Sequence, residues 1–177
     1  PKTRFGVTNR CYNYGLRQSK EFRMDVIALG LHGIAATLWI GGIFFAFVAL
    51  RPAAEEVLES QHRLILWRAT YRNFFSFVWV FVVVLLITGY YGLFSRFGGF
   101  ADSPPYLHLM HTIGLIMVGI FCYLYFALYR PFSCLIDDND ITSAPVLLKK
   151  IRFLMASNLV LGIAITAVGI CGPYLAF

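Results

Sequence analysis

Residues 31–52 read LHGIAATLWIGGIFFAFVALRP, and the chain says nearly the same thing again at residues 110–131, MHTIGLIMVGIFCYLYFALYRP. Each stretch sets a histidine behind a large apolar residue near its start and closes on Arg-Pro. His32 to Arg51 and His111 to Arg130 are both 19 positions apart, roughly 28 Å of helix at about 1.5 Å per residue. That is one hydrocarbon thickness. The correspondence runs on: TGYYG at residues 88–92 returns as VGICG at 168–172, which lays Gly89 over Gly169 and Gly92 over Gly172, and Arg72 falls over Arg152. A duplicated unit with an even number of spans relates its two halves by an axis along the membrane normal. His32 and His111 are then expected at equal depth, facing each other across that axis.

Composition agrees with a membrane chain. Of 177 residues, 59% are hydrophobic and only 14% charged, with a mean hydropathy of +0.69; a soluble domain is excluded. The fold class expected is all-α, a four-helix membrane bundle built from a duplicated two-helix unit. Net charge is +6, but in a membrane protein the placement of Lys and Arg orients helices and need not imply nucleic acid. No nucleic-acid motif is present. Cys11, Cys122, Cys134 and Cys171 stand alone without paired spacing, as buried small residues or free thiols do.

In chain order, residues 1–23 form a basic tail, expected to continue into the first helix, and residues 24–177 form the membrane domain. Spans are expected at about 25–50, 73–94, 106–129 and 153–175, with Arg51-Pro52 ending the first. Residues 53–67 mix acids with Leu, Ile and Trp at helical spacing, a short interfacial helix or an extension of the next span. Gly98-Gly99 and Pro104-Pro105 mark a tight connection. The connection 130–152 carries Asp137, Asp138 and Asp140 and reads as solvent-exposed. Arg51, Arg63, Arg68 and Arg72, with Arg130, Lys149, Lys150 and Arg152, load the two long connections, against Arg96 alone after the second span. That places the long connections in the cytoplasm and both termini outside, although the basic tail opposes it.

An imidazole inside a bilayer is costly without a partner, so repeat-equivalent histidines on two spans call for one. Haem b provides it: iron accepts a histidine from each side, and helices of a bundle clamp the porphyrin between them. Ala35 and Gly114 lie three residues after His32 and His111, on the same faces, and leave room for a flat ring. Arg96, Arg23 and Lys20 are cations available to propionates. The competing reading gives each histidine a hydrogen bond to a carbonyl, to Asn158 or to Thr166. His108 fails the repeat test, since Leu29 occupies the position 79 residues earlier, and is a second-shell group or alternative ligand. Copper is the rival occupant, held by His32, His108, His111 and Met110, with Met24 or Met117 in reach. His62 has no counterpart in the repeat and is expected to be idle.

The stretch LHGIAATLWIGGIFFAFVALRPAA, the later LHLMHTIG and Asn-Leu-Val-Leu-Gly at 158–162 together resemble the CopD-like membrane family, named for copper resistance protein D. The resemblance covers roughly residue 24 to the end; its most specific parts are the Leu-His opening, Trp-x-Gly-Gly at 39–42 and the Arg-Pro close. It implies copper handling at the bacterial inner membrane. The first span is also similar to that of HemJ-type protoporphyrinogen oxidases, four-span haem proteins, and this implies a haem ligand at His32. Those oxidases place a functional lysine in the membrane, and no span here holds one.

Three functions therefore compete: a bis-histidine haem b protein for electron transfer, a redox carrier and not an enzyme; a copper-binding or copper-transport protein; and a non-catalytic accessory subunit of a larger membrane complex. The lipid bilayer is the one partner common to all three. The host membrane is bacterial inner or, alternatively, mitochondrial inner.

Overall fold

Lipid offers no partner to backbone N–H and C=O groups, so apolar runs of bilayer length close their hydrogen bonds internally as helices. A computed structural model shows this; it describes the backbone of residues 4–138, 140 and 142–174, and side chains from residue 22 onward. Helix α1 (Arg4–Phe45) passes through a π-helical turn (Ala46–Leu50) into α2 (Arg51–Val57), and α3 (Ser60–Phe97) returns. Helix α4 (Pro105–Tyr123) passes through a second π-helical turn (Leu124–Tyr129) into α5 (Arg130–Asp137), and α6 (Ala144–Cys171) returns, ending in a 3₁₀ turn (Gly172–Tyr174). Four helices long and apolar enough to span a membrane result among the described residues: Phe22–Val57, Ser60–Phe97, Pro105–Asp137 and Ala144–Tyr174. The protein is an all-α, multi-pass membrane bundle.

The duplication is visible in the backbone. In both units the wide turn falls immediately before Arg-Pro: the Arg51 N–H reaches back five residues to the Ala46 carbonyl, and the Arg130 N–H does the same to Tyr125. Proline has no N–H, and its ring crowds the carbonyl four residues back, which is Val48 for Pro52 and Ala127 for Pro131. Widening the turn by one residue relieves that crowding without breaking the helix. Arg-Pro therefore does not end the first and third spans as expected. The helices run on for two turns.

This changes the reading of two connections. Residues 53–67 divide at Leu58, whose extended backbone separates α2 from α3. The segment 130–152, expected to be solvent-exposed, is so at its charged positions Asp137, Asp138, Lys149 and Lys150, but Phe132, Ala144 and Ile151 are fully buried, because α5 packs against both α3 and α6. Arg68 of α3 donates to Ser133 at 2.9 Å and to Asp137 at 2.6 Å, tying α5 down. The remaining loop is ordered by Asp140, whose carboxylate accepts the N–H of Thr142 at 3.0 Å and of Ser143 at 3.1 Å. The basic tail is continuous with α1 from Arg4; Arg17, Lys20 and Cys11 lie outside the described side chains.

Helix α1 packs along α3 and also meets α6, which packs along α4. Glycines seat two of these contacts: a Cβ at Gly42 would lie 2.4 Å from the Phe74 ring, and one at Gly162 would lie 2.7 Å from Ile40. Helices α3 and α4 meet instead through aromatic rings. Trp67, Tyr71 and Phe75 follow one another at four-residue steps down α3, Tyr71 and Phe75 stacking at 5.2 Å. Phe75 meets Phe121 at 5.7 Å and Tyr129 at 5.1 Å, both edge-on, and Trp79 meets Phe121 at 5.1 Å. Because lipid is as apolar as the core, such packing rather than burial from water holds the helices together. Each well-set ring pair adds about 0.5–1.5 kcal/mol.

Candidate functional site

Three of the four histidines, His32, His108 and His111, lie toward the end of the bundle where α3 stops and α4 starts. Gly98, at φ 69°, caps α3 in the left-handed region that glycine alone enters freely, and Gly99 follows at φ 136°. This reversal lays Phe100 back over the first turns of α4. There it contacts both His108, with ring centres 5.8 Å apart, and His111, at 4.9 Å. Three residues apart, the two imidazoles share one helical face. His108 is exposed and lies 3.1 Å from the Ser103 hydroxyl; His111 is half-buried, with Tyr90 of α3 edge-on at 5.4 Å.

His32 comes to the same turn of α3 from α1. Its Nδ1 is 2.9 Å from Thr88 Oγ1, and a Cβ at Gly89 would lie 3.4 Å from its Cε1. The Thr88 hydroxyl has one proton, which it donates to the Val84 carbonyl at 2.6 Å. Toward His32 it can therefore only accept, so Nδ1 carries the ring proton and Nε2 keeps its lone pair. That arrangement, one ring nitrogen held by a hydrogen bond and the other left basic, is how proteins present a metal-binding histidine. Thr88 and Phe100 were not singled out by sequence. The only hint was TGYYG itself, whose match to VGICG drew attention to the glycines instead.

The other expected participants have protein partners. Ala35 is buried. Ile165 of α6 sits 3.8 Å from where a Cβ of Gly114 would be, so an aliphatic side chain covers the face expected to receive a ring. Arg96 pairs with Asp25 at 3.7 Å, and Ser95 donates to the same carboxylate at 2.8 Å, closing α1 onto the end of α3. Met110 lies over Gly169 and Met117 is buried near Gly162, so both thioethers fill the contact of α4 with α6. Met24 is exposed. Asn158 donates to the Met117 carbonyl at 3.2 Å and Thr166 to the Gly162 carbonyl at 2.8 Å; neither is the partner of a histidine. His62 is exposed on the first turn of α3, at the far end. No cluster of three or more His, Cys, Asp or Glu occurs among the described residues.

Four apolar spans arranged as a duplicated hairpin, with three imidazoles toward one end, define a four-helix membrane protein. The family described as copper resistance protein D matches residues 68–171, more than half of the chain, and the chain belongs to that family. Comparisons with curated proteins and with solved structures returned no match.

Proposed function

We propose that this protein receives copper as cargo at the α3–α4 end of its bundle and passes it toward the interior. His108 and His111 take it up, and His32 is the next imidazole. The observation that carries this reading is the His108–His111 pair, one exposed and one half-buried, on a single face against Phe100. The donor chemistry fits, since imidazole suits copper. Two neutral nitrogens without thiolate or carboxylate hold an ion loosely, as a cargo site must if it is to release. The family's description as copper resistance protein D supports copper as the metal.

The setting proposed is the bacterial inner membrane, the mitochondrial inner membrane being the alternative, with the basic end in the cytoplasm and the histidine end outside. Arg51, Arg63, Lys149 and Arg152 at the first end support that orientation. A second reading, haem b between His32 and His111, draws on the Nε2 lone pair that Thr88 leaves on His32 and on the approach of both rings to one turn of α3. The covered Gly114 face and the Asp25–Arg96 pair speak against it. A membrane-protein partner is the third, and a stable companion retained in mild detergent would reveal it.

Titration of the purified protein with Cu(I) against a chromophoric chelator tests the first reading. His108→Ala with His111→Ala should weaken binding at least tenfold, while His62→Ala should leave it unchanged. Equal affinity in all three proteins would overturn the copper assignment. A reduced-minus-oxidised spectrum with the sharp α-band of six-coordinate haem, lost in His111→Ala, would put haem in its place.

A further inference from the structure

At the opposite end of the bundle a cleft of about 750 Å³ opens between the end of the first span, the start of α3 and the start of α6. Four cations line it, Arg51, Arg63, Lys149 and Arg152, against one carboxylate, Glu55, which leaves an excess of three positive charges. Glu55 is already shared, 3.0 Å from Arg51 and 3.6 Å from Arg152. Arg63 donates to the Ser60 hydroxyl at 3.2 Å and meets Glu55 through its charge alone, and Lys149 has no anionic partner among the described residues. Arg152 is anchored by its guanidinium over the Trp67 ring at 4.9 Å, and its Nε is buried without a hydrogen-bond partner among the described residues. Inward of the cations the lining turns apolar: Phe47 lies one turn before Arg51 and Ala156 one turn beyond Arg152, with Phe153 reaching out to the lipid side.

We infer that this cleft binds the phosphate headgroup of an anionic lipid. Three features select that occupant. The charge excess calls for an anion, and phosphate oxygens suit fixed guanidinium groups. The cleft sits at the end of four spans, at headgroup level, where basic pockets between membrane helices meet anionic lipids. Its wall changes from cationic to apolar in the direction of the bilayer, as a headgroup followed by acyl carbons does. A soluble anion would have no use for Phe47, Phe153 and Ala156. The inference is independent of the copper reading, whose histidines lie at the other end.

Native mass spectrometry of the protein, released from detergent doped with equal amounts of phosphatidylglycerol and phosphatidylcholine, tests it. The wild-type chain should retain phosphatidylglycerol at least tenfold over phosphatidylcholine. Arg63→Gln with Lys149→Gln, both removed from the packed core, should cut that preference about tenfold, and Arg63→Lys alone should keep it. Arg130→Gln, whose guanidinium lies over Phe126 outside the cleft, should leave it intact. Equal retention of the two lipids, or an equal loss in Arg130→Gln, would overturn the proposal. So would inorganic phosphate at millimolar concentration displacing the retained lipid, which would make the cleft a site for soluble anions.

Discussion

At the scale of single residues the chain shows how far a polar group in a membrane helix depends on what crosses from the next helix. Thr88 sets which nitrogen of His32 carries the proton, so Thr88→Val should free the ring to exchange tautomers. Nitrogen chemical shifts of a histidine-labelled sample, dominated by the Nδ1-protonated form in wild type, would become averaged. Asn158 presents a different balance. Its amide donates to the Met117 carbonyl, but its own Oδ1 is buried with no partner among the described residues. A cross-helix hydrogen bond in a membrane averages about 0.6 kcal/mol, whereas an unpaired buried acceptor costs about 1–3 kcal/mol. Asn158→Leu should therefore raise the Tm. A fall of several degrees would show that the bond outweighs the orphan oxygen. The sequence marked His32 as a residue needing a partner and offered a carbonyl, Asn158 or Thr166; Thr88 was not among them, because the rotation of each helix about its axis is not written in a run of apolar letters.

At the scale of the helices, close packing is a property of particular glycines and not of glycine content. Gly41 has nothing within 4 Å of a would-be Cβ, while its neighbour Gly42 meets Phe74 at 2.4 Å. Gly42→Ala should cost about 1–3 kcal/mol by overpacking, and Gly41→Ala should be neutral or gain up to about 1 kcal/mol from better helix formation; paired thermal melts in one detergent would decide. The loop entering α6 makes a pH prediction. The Ser143 backbone N–H, with smaller contributions from the Ser143 side chain and the Thr142 N–H, holds the exposed Asp140 carboxyl below its ordinary value. A depressed carboxylate contributes stability that is present above the unfolded pKa, about 3.9, and is lost as pH falls through the folded pKa. Exchange at the Ser143 amide should stay slow at pH 5 and quicken only below that ordinary value. The four spans were legible because apolar runs of bilayer length have few other uses. Their true ends were not, since a proline preceded by a wide turn reads in sequence like a stop.

For the whole molecule, the two ends differ in kind: imidazoles and aromatic rings at one, guanidinium and ammonium groups around a cleft at the other. With the basic end in the cytoplasm, a chain whose only cysteine is Cys134, exposed on α5, should react with a membrane-impermeant thiol reagent only from the cytoplasmic side. One whose only cysteine is D102C should react only from outside, and the reverse pattern would invert the topology. The duplication was readable from two histidines and two Arg-Pro pairs, and the shared π turns repeat it in the backbone. The cleft was not readable, because it assembles Arg51, Arg63 and Arg152 from three helices and needs Arg152 folded over Trp67. That stacking has an optical consequence. Of the three indoles in the chain, two meet Phe121 edge-on in the apolar middle, while Trp67 lies against a fixed cation. A charge so near should polarise the excited indole, so Trp67 should emit at a wavelength of its own, and an anion settling beside Arg152 should shift that emission. The molecule would then carry a gauge for the occupancy of its basic end, readable without any added label.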